Sequence, residues 1–329
     1  MSAVSPSRSL GRSGLVVNPI GIGTWSMGGS WGAVDDTAST EALRVAVAGG
    51  ADFFDTADNY GDGRSERLLG TVLASLRVPV VVATKMGRRA SAPEYTLESF
   101  RRWVGASRER LGVDSIDLMQ LHCPPPEIYS NPAVFEALDR LVAEGAIRHY
   151  GVSVQTIDQG MRCLEYPGVE TLQVVFNIFR QRPAERLFGA ARERGVGVIA
   201  RIPLASGLLT GKLRSDTAFA PDDHRSFNRK GEAFDVGETF AGVDYEVGLA
   251  AVEELRRWVP AGMTMAQFAL RWILMFEAVS VAIVGASKPR HVEEALAVRS
   301  MPPLPPEVME AVGALYAERI DPVIGSRWG

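Results

Sequence analysis

The sequence predicts an α/β fold: a closed (β/α)8 TIM barrel with an N-terminal hairpin, a long loop after strand seven and an extra C-terminal helix. Three observations lead there. Eight short apolar runs recur along the chain: Ile20–Gly23, Asp52–Thr56, Val78–Thr84, Ile116–Leu121, His149–Ser153, Leu172–Phe176, Val196–Ile202 and Val279–Val284. They are rich in Val, Ile, Leu and Phe and mostly lack polar alternation, as parallel strands covered on both faces do. Helical patterns separate them, and eight such alternations suggest closure into a barrel. The rival, an open doubly wound sheet, would be favoured by a glycine-rich phosphate loop straight after the first strand, and none is present.

Taken in order, Leu10–Val17 reads as a hairpin covering the N-terminal end of the barrel, with Gly14 in its turn. Leu43, Ala46 and Val47 mark the buried face of the first helix. Thr96 precedes Phe100, Trp103, Ser107 and Leu111, with Gly112 as the stop. Asn131-Pro132 caps a helix carrying Phe135, Leu138, Leu141 and Val142, which Gly145 ends. Leu187, Ala190 and Ala191 mark another, ending at Gly195. From about Leu213 to Val243 the chain is too long for an ordinary βα connection and reads as an active-site loop or lid. Helices follow at about Tyr245–Trp258 and Thr264–Phe276, and Pro306–Glu318 lies outside the eightfold repeat. No linker interrupts the pattern, so one domain is expected over residues 1–329: hairpin about 8–17, barrel about 20–300, C-terminal helix and tail about 303–329.

Composition narrows the function. The 329 residues are 46% hydrophobic with a net charge of −4, which fits a soluble globular protein and leaves no basic footprint for nucleic acid. No apolar stretch approaches the roughly 18 residues of a spanning helix, since Arg271 and Glu277 interrupt the longest candidate. The start of the chain lacks the apolar core of a signal peptide, so a cytoplasmic setting is expected. Cys123 and Cys163 are too few for a disulfide scaffold or a cysteine zinc site, and no metal-binding run occurs.

The informative residues are polar ones at strand ends. Asp55 and Tyr60 follow the second run, Lys85 ends the third and His122 the fourth, while Ser153, Gln173 and Asn177 occupy or end the next two. A barrel gathers these strand ends at one rim. Separately, Asp55 could cap a turn, Lys85 could lie on the surface and His122 could be a packed histidine; these readings weaken when all share one end.

With these residues in view, the ordered set Gly21-Ile22-Gly23-Thr24-Trp25, Asp55 to Tyr60-Gly61, Thr84-Lys85, Leu121-His122 and Gly151-Val152-Ser153 resembles the aldo-keto reductase superfamily. Pro203-Leu204 with Gly207 to Lys212, and Ile283 to Lys288 with Glu294, extend the resemblance over roughly residues 8–300. It implies a (β/α)8 barrel and NADPH-dependent reduction of an aldehyde or ketone, with NADH as the alternative cofactor. Carried onto this chain, it makes Tyr60 the general acid, has Lys85 and Asp55 adjust its proton affinity, and has His122 orient the carbonyl. The residue types suit the chemistry. Hydride delivery builds negative charge on oxygen, a donor must stabilise and protonate it, and the Lys85 ammonium would lower the phenol's pKa.

The resemblance also places the cofactor. Gly23, Thr24, Trp25 and Asp55 would line its site, with Ser153, Gln173 and Arg201 near the nicotinamide. Pro203, Leu204, Ser206, Gly207, Leu209 and Lys212 would lie by the pyrophosphate; Gly285, Ser287, Lys288, Arg290, His291 and Glu294 would lie by the adenosine. The helix start after Lys288 suits an anion independently of the family. There are three departures from the common pattern, the last comprising two residues. Val154 replaces an Asn, Arg201 an aromatic ring, and His291 and Ala295 stand where Arg and Asn are usual. The Arg201 plane can stack on nicotinamide or equally reach a substrate carboxylate or hydroxyl. For the substrate, Trp25, Trp31, Tyr60, His122, Phe227 and Arg229 are the candidate contacts, and the polar long loop suits a sugar or keto-sugar. The expected partner is this small carbonyl compound alone, with neither nucleic acid nor membrane, for a monomer or homo-oligomer. Two alternatives accompany this reading: a cofactor-binding regulatory subunit resembling potassium-channel β subunits, and an enzyme working physiologically in alcohol oxidation.

Overall fold

Residues 7–29, 31–32, 34–285 and 288–328 are described by a computed structural model of the chain. Strands β1 (Arg8–Ser9) and β2 (Val16–Val17) pair antiparallel as the hairpin. The barrel strands are β3 (Ile20–Gly23), β4 (Phe53–Asp55), β5 (Val81–Met86), β6 (Ile116–His122), β7 (Ile147–Ser153), β8 (Val169–Val175), β9 (Gly197–Arg201) and β10 (Val279–Gly285). They run in sequence order and close, with β10 pairing to both β9 and β3. All eight barrel pairings are parallel.

Helices α1 (Asp36–Ala48), α2 (Arg64–Leu76), α3 (Leu97–Leu111), α4 (Pro132–Ala143), α5 (Ile157–Cys163) and α6 (Pro183–Glu193) separate successive strands from β3 to β9. The expected caps are in place: Thr96 accepts from the Ser99 N–H, and Asn131 accepts from the Ala133 N–H. Between β9 and β10 lie a single-turn α7 (His224–Phe227), then α8 (Tyr245–Leu255) and α9 (Met265–Leu274). After α10 (Pro289–Leu296) comes α11 (Pro306–Leu315), and here the structure extends the expectation. A π-turn over Tyr316–Ile320 carries the chain into α12 (Asp321–Ile324). The wider turn accommodates Pro322, which cannot donate an N–H to a regular helix.

Two apolar regions result. The larger lies between the strands and the surrounding helices, while a smaller one inside the barrel joins Phe53, Ala83, Leu118, Ile199, Val281 and Ile283. Leu10 and Val17 of the hairpin belong to the inner group, so the hairpin plugs this end of the barrel. Gly11 permits the approach: with φ +60°, an added Cβ would stand 2.3 Å from the Gly197 nitrogen. With this end closed by apolar side chains, polar inward positions are left to the strands' C-terminal ends.

Parallel register explains why β7 carries Gly151. It pairs with Thr171, and a Cβ on it would lie 1.9 Å from Thr171 Oγ1 and 2.6 Å from the Thr171 carbonyl. Gly151→Ala is therefore expected to destabilise the protein by about 2–3 kcal/mol through overpacking. In Gly189→Ala, on the exposed side of α6 with open space around it, the gain should be about 0.5–1 kcal/mol. Urea unfolding of both variants checks this, and equal effects would contradict it.

Candidate active site

Alternation along each strand puts every second residue inside the barrel. Asp55 follows Phe53 in this way, Lys85 follows Ala83, Gln120 and His122 follow Leu118, and Arg201 follows Ile199. The inward series thus turns from apolar to polar toward the C-terminal rim. Lys85 and Asp55 are almost wholly buried, and their Nζ and Oδ1 atoms lie 2.5 Å apart. Lys85 also donates to the Thr56 carbonyl (2.9 Å) and to the Tyr60 hydroxyl (3.3 Å). The second Asp55 oxygen accepts from Gln173 (2.8 Å) and Gln120 (3.2 Å), and Gln173 also donates to the Gln120 carbonyl oxygen. Both carboxylate oxygens are thereby engaged. Tyr60 sits in a turn stabilised by the Tyr60 N–H bond to the Ala57 carbonyl and the Ser65 N–H bond to the Tyr60 carbonyl. The backbone of Gly28 packs so closely there that a Cβ would fall 2.8 Å from the Tyr60 carbonyl carbon.

The electrostatics differ from the simplest sequence expectation. Burial pushes the Tyr60 phenol above its ordinary value; Lys85 pulls it down, and Asp55 adds to the rise. Desolvation of the phenolate wins, so the resting group is a neutral acid. Burial also works against the Lys85 ammonium, but Asp55 and Tyr60 together carry it above its usual value. His122 is held well below its ordinary value by burial, with Lys85, Arg88 and Arg201 adding repulsion. It is a neutral imidazole, its ring edge-on to Tyr60 at 5.8 Å and its Nδ1 buried without a partner among the described residues.

Next to His122, the Cys123 N–H donates to the Ser153 carbonyl, and the Ser153 hydroxyl lies 3.5 Å from the Cys123 sulfur. Arg201 donates through Nη2 to the Val154 carbonyl (3.2 Å). Its Nη1 stands 3.6 Å from Glu238, which accepts a shorter 3.0 Å bond from Arg88. Arg88, Gln120, Cys123 and Glu238 were not candidates from the sequence. Gln120 was legible from its alternation with His122. Glu238 had one signal, its place beside the apolar Phe240–Val243 in a loop otherwise rich in charge.

That loop is more committed than its composition suggests. Asn228 accepts from the Ala233 and Phe234 N–H groups and donates to Thr239 Oγ1. His224 is fully buried against Thr239, with its pKa lowered to about 4 by burial. Trp25 lies 6.3 Å from the Tyr60 ring and 4.8 Å from His224, and Trp31 meets Trp25 edge-on at 5.5 Å, so both tryptophans join the site's wall. Phe227 and Arg229 do not join it. Both are exposed; Phe227 packs on Phe234, and Arg229 lies over Phe219 and Tyr245.

Several proposed cofactor residues are drawn together, and others have their side chains engaged elsewhere. Lys212, after β9, comes near His291 at α10, and Lys212, Lys288, Arg290 and Glu294 all act on the His291 proton. Arg290 pairs with Glu294 at 2.8 Å. This largely cationic group beside the start of α10 fits a phosphate. Ser287 lies outside the described residues. After Pro203 and Leu204, the residues Ala205, Ser206 and Gly207 all have left-handed backbones. The Ser206 hydroxyl, however, donates to the Glu238 carbonyl and accepts from the Phe240 N–H, and Leu209 is fully buried. At the other side, Thr24 bonds the Asp55 carbonyl, and Gly23 pairs with Gly285 and Asp55. Among the described residues, no helix is long and apolar enough to cross a membrane, and no group of His, Cys, Asp and Glu could hold a metal.

Comparison with known proteins agrees with this architecture. The aldo/keto reductase family profile matches residues 19–317. Aldo-keto reductase YhdN of Bacillus subtilis is 30% identical over 299 residues, covering 87% of this chain and 86% of its own. The glycerol dehydrogenase AKR11B4 of Gluconobacter oxydans superposes with a TM-score of 0.79 at 29% identity, covering 97% of each chain. An aldo-keto reductase of Klebsiella pneumoniae, solved in complex with NADPH, gives 0.70 at 25% identity, covering 97% of this chain and 99% of that one. The chain belongs to the aldo/keto reductase family and is an oxidoreductase.

Lys85→Met should strand a buried carboxylate and cost about 3–5 kcal/mol of stability. Adding Asp55→Asn should recover part of that loss, because the unpaired charge disappears. A double variant no more stable than Lys85→Met in denaturant melts would contradict the geometry.

Proposed function

We propose that this member of the aldo/keto reductase family reduces a polar, hydroxylated aldehyde or ketone to its alcohol with NADPH, using Tyr60 as the proton donor. One observation carries the reading: a neutral phenol hydrogen-bonded to a buried ammonium, beside a neutral imidazole, where the barrel strands end. NADPH supplies the hydride that reaches the carbonyl carbon. As negative charge grows on the carbonyl oxygen, the Tyr60 hydroxyl donates to it and then gives up its proton. Lys85, held by Asp55, stabilises the phenolate left behind until water reprotonates it. A neutral His122 can donate one hydrogen bond to the same oxygen without adding a charge that would compete with Lys85 for the phenolate.

For the cofactor, Lys212, Lys288, Arg290 and the start of α10 are proposed to hold the adenosine phosphate, with Glu294 beside them and Ser287 as a further proposed contact. His291 is proposed to flank the adenosine. Ser153 and the carbonyl oxygen of Gln173 are proposed to meet the nicotinamide, since the Gln173 amide protons already serve Asp55 and Gln120. The backbone from Pro203 to Gly207 is proposed to follow the pyrophosphate. The three successive left-handed residues Ala205, Ser206 and Gly207 turn the chain tightly there. The Klebsiella relative's bound NADPH supports the cofactor choice. The substrate class, a sugar or keto-sugar, is supported by the polar network of Arg88, Arg201 and Glu238 that acts on His122, and by the aromatic wall of Trp25 and Trp31 beside Tyr60. The name of the Gluconobacter relative, a dehydrogenase of a small polyol, points the same way.

Tyr60→Phe removes the proton donor and keeps the ring. Single-turnover hydride transfer should fall by about 10²–10⁴-fold, while fluorescence titration should show NADPH affinity within about threefold of the parent. Transfer at near-parent rates would remove Tyr60 from the chemistry.

A further inference from the structure

Arg201 ends β9 inside the site with 8% exposure, and its charge is incompletely matched. Its Nη2 meets the Val154 carbonyl and, at 3.7 Å, the Cys123 sulfur. Nη1 has only the 3.6 Å approach to a Glu238 oxygen that Arg88 already holds more closely. Nε is buried with no partner among the described residues. The surroundings do not make up the deficit. Among the described residues, the cations of this network, Lys85, Arg88, Arg180, Arg201 and Arg327, outnumber its anions, Asp55, Asp235 and Glu238. Tyr60 and His122 contribute no charge. A guanidinium cannot shed its proton to escape this situation. Burying an incompletely paired cation is costly, so a group arriving with the ligand that completes the pairing binds favourably.

The location gives that group a role. Arg201 and Arg88 both act electrostatically on His122, and ionisation of Tyr60 would act on both of them. We propose that Arg201, with Arg88 behind Glu238, selects a carbonyl substrate that also carries a carboxylate: an aldehyde or keto acid, hydroxylated acids such as uronic acids included. A neutral hydroxyl would satisfy the vacant N–H and leave the surplus positive charge unmatched; a carboxylate satisfies both. Glu238 has the opposing influence. It holds the two guanidinium groups in place and, by its own charge, limits how strongly an anion is drawn in. The proposal rests on carbonyl reduction at Tyr60 and names the substrate class for that site.

The test uses matched pairs differing by one carboxylate: glyoxylate with glycolaldehyde, succinic semialdehyde with butanal, and D-glucuronate with D-glucose. NADPH oxidation is followed at saturating cofactor for the parent, Arg201→Met, Arg201→Lys and Glu238→Gln, so that changes in cofactor affinity cancel within each pair. In at least one pair the acid is expected to have a tenfold or greater advantage in kcat/KM. Arg201→Met should reduce that advantage at least tenfold, and Arg201→Lys should keep part of it. Glu238→Gln should enlarge it, a gain that a purely structural role for the network does not provide. Calorimetric titration of D-glucuronate and D-glucose into the parent saturated with NADP+ supplies a readout independent of turnover, with tighter binding of the acid expected. If neutral carbonyls are reduced without any advantage to their acids, or if Arg201→Met affects both members of each pair equally, the inference is overturned while the reductase reading stands. If glucuronate binds preferentially but no compound oxidises NADPH, the anion site stands and the reductase reading falls. Equal binding or no binding of the two sugars, with no acid preferred in turnover, overturns the anion site.

Discussion

A lysine ammonium and an aspartate carboxylate meet inside this barrel almost out of reach of water, and much of the site's design follows from keeping that pair tolerable. Removing two ions from water costs several kcal/mol apiece, and their attraction offsets this only when the remaining hydrogen-bonding capacity is used. Asp55 is completed by Gln120 and Gln173, and Lys85 by the Thr56 carbonyl and the Tyr60 hydroxyl. These residues come from separate strands and the turn after β4, so the pair is fully hydrogen-bonded only once the barrel has brought β8 across to β4. Tyr60 is thus positioned by the folded sheet as a whole as well as by its own short turn.

The pair also governs the chemistry of its neighbours. A buried phenol resists ionisation, while an adjacent ammonium makes loss of the proton less costly at the moment it is needed. The same cation helps keep His122 uncharged. The loop after β9 then finishes the site from above. Its internal bonds hold Glu238 against Arg88 and Arg201, and the Trp328 indole fastens it further by donating to Asp235 and stacking under Arg180. This segment is scaffold and ligand surface together, which accounts for a fully buried His224 in a stretch that looks solvent-exposed by composition.

The strands, the order of the helices and the convergence of Asp55, Tyr60, Lys85 and His122 were legible in the sequence. Apolar runs specify doubly covered strands, and a polar residue ending such a run has few places to go except the rim. What the sequence concealed depends on long-range pairing. Nothing local tells that Gln173 turns its amide onto Asp55, or that Ser206 uses its hydroxyl to hold the Glu238 segment. Phe227 and Arg229 looked like site residues because they share a loop with groups that are; the single turn of α7 leaves them on the solvent side. The sign of the Tyr60 shift was missed for a similar reason, since the Lys85 neighbour is apparent from the motifs and the degree of desolvation is not.

The most direct measurement is an NMR titration of Tyr60, observed through ring-labelled tyrosine and assigned with Tyr60→Phe, in the cofactor-free protein and in Lys85→Met. If burial dominates and Lys85 moderates it, the phenol remains protonated through neutral pH, titrates above the ordinary tyrosine value of about 10, and moves higher still without the lysine. A Tyr60 that ionises below that value, or whose titration is unchanged in Lys85→Met, would contradict the coupling on which this view of the site depends.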